Sequence, residues 1–215
     1  MKNVPLLLGT IIGSVLLIFA VGYLFSRTPA PSSTTAVDRT ALEADLAHTK
    51  GATESAKITV VEFSDFQCPA CRATEPLVAQ LAQEYSANVK FAFRHFPLEN
   101  IHANARAAAI AAEAAAKQNA FWPYHDVLFD KQDEWSEVTD QAKLSELFVS
   151  YAAGIQLSTD QFKADLDNPE TAGRVTSDSA LANQLQVSGT PTFFVNGTPT
   201  PTNQLKTSID ALLAQ

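Results

Sequence analysis

Two cysteines, Cys68 and Cys71, are the residues whose types and spacing could do chemistry in this sequence, and the chain has no other cysteine. They frame the motif Cys68-Pro69-Ala70-Cys71, which follows an apolar β-branched run and opens a helical pattern. Pro69 then falls at the first helical position, where its missing N–H costs nothing. Near the helix N-terminus, free N–H groups and the helix dipole lower the pKa of a thiol. The pattern predicts thiol–disulfide exchange, with Cys68 as the attacking thiol and Cys71 as the more buried resolving thiol.

Two other uses of the cysteine pair compete with this prediction. A structural disulfide across a two-residue loop would remove little chain entropy. A zinc site needs four ligands, and the histidines that could complete one show no paired spacing. These histidines are His48, His95, His102 and His125. We expect no metal and no organic cofactor, and we interpret His95 as a hydrogen-bonded structural residue.

The elements around the motif indicate a βαβ unit. Residues 58–63 form a buried apolar run typical of a strand, and residues 68–85 carry a helical pattern. Residues 89–93 alternate apolar side chains and predict a second strand. A strand, a crossover helix and a strand favour a parallel pair. Residues 41–48 show a short helical pattern before this unit.

The second half of the chain is predicted to be helical until a final hairpin. A Ser158-x-x-Gln161 capping box opens one of its helices. Asn196-Gly197 predicts a two-residue turn after a strand over residues 192–195, and prolines confine the returning strand to a sheet edge. The other predicted helices cover residues 101–119, 121–130, 140–153, 169–185 and 203–214.

The segment VVEFSDFQCPAC resembles the active-site segment of thioredoxin-fold proteins and is most similar to the DsbA-like thiol–disulfide oxidoreductases. Glu62 stands where that fold carries a buried acid, and Pro76 matches the proline that kinks the active-site helix. The loop Gly189-Thr190-Pro191-Thr192 resembles the cis-proline loop that faces the dithiol. The resemblance spans about residues 58–215. It implies an α/β thioredoxin-like fold with a helical insertion at about residues 100–185.

The resemblance also implies roles for residues outside the motif. Burial would raise the pKa of Glu62, and within reach of Cys71 this carboxyl could accept and return the thiol proton. A cis Pro191 would let Thr190 present its backbone to an extended substrate segment beside the dithiol. The alternatives are a solvent-facing Glu62 and a trans-proline at a strand start. We interpret Asp65 as a turn or capping residue.

Ala70 departs from the family pattern, because the strongly oxidising DsbA type carries histidine at this position. An imidazole there adds positive potential beside the thiolate. Without it the reduced form is less stabilised, and we expect a less oxidising protein than the histidine-bearing type.

The N-terminus predicts a membrane anchor. Residues 4–25 contain no charged side chain, and a helix of that length reaches about 33 Å, enough to cross a hydrocarbon core of about 30 Å. A cleaved signal peptide is the alternative. The GxxxG pattern of Gly9 and Gly13 could support a weak homodimer. The predicted domains are an anchor over residues 1–25, a flexible linker over 26–40 and a catalytic domain over 41–215.

Composition excludes several classes of protein. Hydrophobic residues make up 46% of the chain, which is incompatible with wholesale disorder. The net charge of −8 provides no basic footprint for nucleic acid. The sequence lacks P-loop, GxGxxG and GxSxG motifs, so phosphate, dinucleotide and hydrolase functions have no support.

These observations predict an oxidoreductase on the outer side of the bacterial cytoplasmic membrane. Its partners would be cysteine-containing extracytoplasmic proteins and, as the resemblance implies, a quinone-linked membrane oxidase that reoxidises it. The alternatives are a disulfide reductase or isomerase of the same fold, and a non-catalytic thioredoxin-fold binding module.

Overall fold

The structure, a computed structural model, describes residues 36–52 and 56–215. The predicted membrane anchor and the Gly9–Gly13 pattern lie outside the described residues. In the part of the chain that is described, no helix is both long enough and apolar enough to cross a membrane. Helix α1 (Arg39–Glu43) begins inside the predicted linker, where the Asp38 carboxylate accepts a hydrogen bond from the N–H of Thr40. Val37 donates its N–H to the carbonyl of Gly197, so this short stretch packs on the domain.

Five strands form one mixed sheet in the order β1–β3–β2–β4–β5. The strands are β1 (His48–Gly51), β2 (Ile58–Ser64), β3 (Val89–His95), β4 (Thr192–Val195) and β5 (Thr198–Thr200). β2 and β3 are parallel, as the βαβ pattern predicts, and the other three pairings are antiparallel. The predicted Asn196-Gly197 turn joins β4 to β5, which lies at the sheet edge.

The predicted helix over residues 41–48 is wrong in its second half. Helix α1 ends at Glu43, and Asp45 adopts a left-handed conformation with φ of 49°. His48 then begins β1 opposite Phe93 of β3. A local apolar pattern cannot reveal this pairing, because the partner strand lies about forty residues further along the chain.

The active-site helix α2 (Pro69–Glu84) follows β2 after a four-residue turn and contains Pro76. The helical insertion and the last helix follow the predicted order, except for one short helix over Gln132–Trp135 that the sequence does not predict. They are α3 (Ala105–Ala116), α4 (Phe121–Asp130), α5 (Gln132–Trp135), α6 (Gln141–Gly154), α7 (Thr159–Leu166), α8 (Pro169–Gln184) and α9 (Leu205–Leu213). Helix α3 starts later than predicted, and the side-chain amide of its N-cap residue, Asn104, donates to the carbonyls of Trp135, Ser136 and Val138.

Helices cover both faces of the sheet. Residues of α2 and α9, such as Leu81 and Ile209, pack with Val60 and Phe91 on one face. Residues of α1 and α8 pack against the other face. The insertion has an aromatic core of its own that includes both cysteines. The N-terminus of α2 therefore lies where the sheet core and the insertion core meet.

Candidate active site

The turn between β2 and α2 fixes the position of Cys68. The Asp65 carbonyl accepts the Cys68 N–H at 3.0 Å, and the Asp65 carboxylate accepts the Gln67 N–H at 2.7 Å. Asp65 is thus the turn residue that the sequence predicts. Cys68 is the N-cap of α2, with Pro69 in the first turn, also as predicted.

The groups around Cys68 favour its thiolate on balance. The protonated thiol donates a hydrogen bond to the carbonyl oxygen of Thr190 at 3.4 Å, whereas the hydrogen bonds that stabilise the ionised sulfur come from other groups. The Thr190–Pro191 peptide bond is cis, which is the isomer that the family resemblance implies. A hydrogen bond from the Cys71 thiol, with smaller contributions from the Thr190 side chain and from the N–H groups of Ala70 and Cys71, outweighs burial and lowers the pKa of Cys68 to about 5.

Cys71 lies one turn further along α2 and is fully buried. Burial raises the pKa of its thiol far above the usual range, and the hydrogen bond to Cys68 and the charge of Glu62 act in the same direction. At neutral pH the reduced pair is therefore a Cys68 thiolate beside a Cys71 thiol. This is the asymmetry that an attacking and a resolving cysteine require.

Glu62 faces the interior rather than solvent, with 4% of the residue exposed. It lies on β2 opposite Phe93 and Phe193, on the side of the sheet that α2 covers. Burial and the nearby carboxylate of Glu75 raise the pKa of Glu62 to about 8. A carboxyl with this pKa can exist in both protonation states near neutral pH, as an acid–base group must.

The sequence alone does not predict two residues of the site, Gln132 and Glu75. The side-chain amide of Gln132, in the insertion, donates to the carbonyls of Phe66 and Cys68 at 2.7 and 3.1 Å and so ties the motif to α5. Glu75 lies on α2 one turn after Cys71 and acts on Glu62, and its spacing of four residues from Cys71 is a signal that could have found it. No local pattern points to Gln132, because it lies 64 residues from Cys68 in sequence.

The four histidines do not gather at the dithiol. His48 and His95 share one oxygen of Glu113, at 2.6 and 2.7 Å. His102 contacts Asp65 and His125 contacts Asp126; these two pairs have N–O distances of 2.7 and 2.8 Å. His95 is thus the hydrogen-bonded, buried residue that the sequence suggests.

An open depression of about 830 Å³ lies beside Pro69 at the start of α2. Its wall includes Arg72 and Asp133, which form an ion pair at 2.7 Å, and the aliphatic side chain of Ile101. Ile101 is 71% exposed. The surface next to the motif thus combines an apolar side chain with polar groups, as a peptide-contacting surface does.

The comparisons with known proteins agree with this geometry. A family model described as thioredoxin matches residues 46–214. The chain belongs to this thioredoxin family. Its relatives include two proteins named Na(+)/H(+) antiporter NhaA. The one from Salinispora tropica is 42% identical over an alignment that covers 73% of this chain and 22% of that protein. The one from Herminiimonas arsenicoxydans is 34% identical over 79% of this chain and 25% of that protein. The chain spans about a quarter of the length of these curated relatives.

Solved structures of the thioredoxin family are similar over most of the domain. A thioredoxin-like oxidoreductase from Silicibacter pomeroyi is 26% identical, with a TM-score of 0.67 over 83% of this chain and 99% of that one. BdbD from Bacillus subtilis is also 26% identical, with a TM-score of 0.67 over 78% and 92%. The thiol-disulfide exchange protein alpha-DsbA2 from Wolbachia pipientis shares the fold at 19% identity, with a TM-score of 0.66 over 81% and 91%. The dithiol of this chain therefore lies on the fold that these solved structures share.

Proposed function

We propose that this thioredoxin-family protein introduces disulfide bonds into cysteine-containing proteins outside the cytoplasm. The observation that carries the proposal is the opposite pKa shift of the two thiols, downward to about 5 at Cys68 and upward at Cys71. A stabilised thiolate favours the reduced form of the dithiol, and a protein with a favoured reduced form is an oxidant of its substrates.

The proposed reaction runs in two displacement steps. A substrate thiolate attacks the Cys68 sulfur of the Cys68–Cys71 disulfide, the S–S bond breaks, and Cys71 leaves with the electron pair and takes up a proton. A second substrate thiolate then attacks the substrate sulfur of the mixed disulfide and releases Cys68 as its stabilised thiolate. The substrate has lost two electrons and the dithiol has gained them.

The backbone of Thr190 and Pro191 is the proposed substrate-binding edge. The Thr190 carbonyl lies 3.4 Å from the attacking sulfur, so an extended segment paired there would bring its own cysteine to Cys68. Glu62 is the proposed proton acceptor and donor for Cys71, since it is buried under α2 with a pKa of about 8.

Turnover requires a partner that removes two electrons from the reduced dithiol. We propose a quinone-linked membrane oxidase for this role, on the basis of the resemblance to DsbA-like proteins. The uncharged run over residues 4–25 supports tethering of the domain beside such a partner, on the outer side of the cytoplasmic membrane. A reporter fused to Gln215 tests this orientation, and a reporter active only in the cytoplasm would contradict the oxidase, because thiols there are kept reduced.

A disulfide reductase or isomerase is the second candidate, and Ala70 favours it. The deciding experiment is the reduction potential of the Cys68–Cys71 pair, measured by equilibration of the full chain with glutathione buffers. We expect a value of about −120 to −150 mV for an oxidase. A value near that of thioredoxin, about −270 mV, would support the reductase. A pair that cannot be cycled without unfolding would instead indicate a binding module.

A further inference from the structure

Three buried polar atoms that lack hydrogen-bond partners among the described residues belong to side chains that line one small cavity between the sheet, α2 and α4. They are Oε1 of Glu62, Oε1 of Glu75 and Nε2 of His125. Each belongs to a different element, namely β2, α2 and α4. Buried polar atoms are costly unless they are hydrogen-bonded, so three of them around one space require a common explanation.

We call this space the Glu62 cavity, and its size is that expected for a site of one buried water. The volume open to a water-sized sphere is about 10 Å³, which is at the lower limit of what a single buried water needs. Two to four polar partners are what a buried water needs, and the cavity offers three. A water there would connect the Glu62 carboxyl with Glu75 and His125.

The connection continues from His125 to solvent. The Nε2 atom of His125 lies 3.6 Å from Oε2 of Glu75, and its Nδ1 atom donates to Oδ1 of Asp126 at 2.8 Å. The His125 side chain is 1% exposed, whereas that of Asp126 is 63% exposed. His125 therefore links a buried carboxyl on one side of its ring to a surface carboxylate on the other.

Aromatic rings enclose the rest of this imidazole. The five rings within 6 Å of it belong to Phe66, Phe93, Phe121, Trp122 and Phe129. The charged and titratable groups around the path are Lys50 on β1, Glu62 on β2, Glu75 on α2 and Asp126 on α4. Lys50 lies 3.9 Å from the Asp126 carboxylate and 3.9 Å from the centre of the Trp122 ring, at the outer end of the path.

We propose that Glu75, His125 and Asp126 form the path by which Glu62 exchanges the Cys71 proton with solvent. The proposal rests on the proposed function, in which Cys71 must gain a proton when the disulfide opens and lose it when the disulfide forms. It assigns His125 as a proton-transfer residue and Glu75 as the residue that joins it to Glu62.

The need for such a path follows from the protonation state of Glu62. With a pKa of about 8, Glu62 is mostly protonated at pH 7 and cannot accept another proton from Cys71. It can act only if its own proton moves on as the new one arrives. In disulfide formation the Cys71 proton would pass to Glu62 while the Glu62 proton passes through the cavity water to His125. A proton of His125 would pass to Asp126 and on to solvent. The Cys71 thiolate then attacks the Cys68 sulfur of the mixed disulfide and expels the partner thiolate. Opening of the disulfide reverses every transfer.

The pKa of His125 suits this task. Burial by itself would lower it, but the hydrogen bond with Asp126 and the nearby carboxylate of Glu75 outweigh burial and raise it. The imidazole can thus carry a proton near neutral pH although it is enclosed by aromatic rings.

The test follows the resolving step alone. The reduced full chain is mixed with glutathione disulfide, the mixed disulfide forms at Cys68, and acid quench with alkylation measures its resolution by Cys71 from pH 6 to 9. For E75Q and H125Q we expect resolution about tenfold slower than wild type at pH 7, because only the ionised tenth of Glu62 can then act one pH unit below its pKa. Near pH 9 both variants should approach the wild-type rate.

E75Q is the decisive variant because a purely electrostatic effect has the opposite sign. The Glu75 carboxylate raises the pKa of Glu62, so its neutralisation would ionise more Glu62 and speed resolution at pH 7. Unchanged or faster resolution in E75Q would overturn the path, and so would slowing by the same factor at every pH, which indicates a structural effect. If E75Q does not fold, the pH profile of H125Q carries the same test.

H95Q is the matched control. His95 is as buried as His125 and also contacts a carboxylate, but that carboxylate is Glu113. We expect the wild-type pH profile in H95Q, and a profile like that of H125Q would contradict the path. Failure of the proposed function would look different, since wild type itself would then not form and resolve the glutathione mixed disulfide.

Discussion

Cys68 and Cys71 are chemically identical side chains whose surroundings give them opposite tasks. Cys68 lies at the N-terminus of α2, where hydrogen bonds from Cys71 and from backbone N–H groups lower the pKa of its thiol. Cys71 lies on the buried face of the same helix, where burial raises the pKa. Only two residues lie between the Cys68 thiol, which is ionised at neutral pH, and the Cys71 thiol, which is not.

The first prediction concerns the ionisation of Cys68. Thiolate absorbance near 240 nm should titrate with a midpoint near pH 5 in the reduced protein and be absent in the oxidised protein. In C71A the midpoint should rise, because the hydrogen bond from Cys71 is the largest favourable influence on the thiolate. C71S keeps a hydroxyl donor and should show a smaller rise. A wild-type midpoint above pH 8 would contradict this account of the site.

At the scale of elements, the N-terminus of α2 is the part of the fold that tunes the redox pair. Ala70 is exposed in its first turn, so a larger side chain fits there without repacking. The change A70H would place an imidazole near the thiolate and add positive potential. We expect a reduction potential higher by tens of millivolts, since about 30 mV corresponds to 1.4 kcal/mol for this two-electron couple. A70Q is the neutral control, and an equal shift in both variants would rule out the electrostatic explanation.

A buried ion pair joins three elements behind the sheet. Arg94 of β3 lies 2.6 Å from Asp178 of α8 and donates to the carbonyl of Leu42 in α1. The other Asp178 oxygen accepts the N–H of His95 at 3.1 Å. D178N would leave the arginine charge buried without its partner, and we expect a loss of about 3–5 kcal/mol in the free energy of unfolding.

Urea denaturation of the oxidised protein measures this loss. The matched control is E170Q on the same helix, where Glu170 pairs with Lys117 at the surface. Such exposed pairs contribute about 0–1 kcal/mol, so E170Q should unfold close to wild type. A D178N midpoint equal to that of E170Q would show that the pair does not hold α1 and α8 to the sheet.

At the scale of the whole molecule, the redox state and the stability of the domain are linked through Cys68. The pKa of its thiol is depressed in the folded reduced protein, from a usual value of 9.0 to about 5. A depressed acidic pKa adds stability that is complete above the unfolded value and is lost as pH falls through the folded value. The oxidised protein has no thiolate and lacks this contribution.

The reduced form should therefore lose stability relative to the oxidised form as pH falls from about 9 to 5. Paired urea denaturation of the two redox forms at several pH values measures the difference, and comparison of the forms removes contributions from groups common to both. A difference that does not change with pH would mean that Cys68 is not a stabilised thiolate in the folded protein.

The sequence by itself determined the chemistry and most of the elements around it. The motif at a strand–helix junction, the parallel βαβ unit and the Asn196-Gly197 turn follow from short-range signals such as periodicity, caps and turn residues, and the family resemblance implies the cis-proline loop at Thr190-Pro191. These signals act within a few residues, and the structure contains each of these features. Only the tertiary structure decided what depends on distant neighbours. The edge strand β1 forms by pairing with β3, Gln132 reaches the motif from the insertion, and the pKa of Glu62 depends on burial and on Glu75. Burial and electrostatics are properties of packed elements, so no local pattern in the chain encodes them.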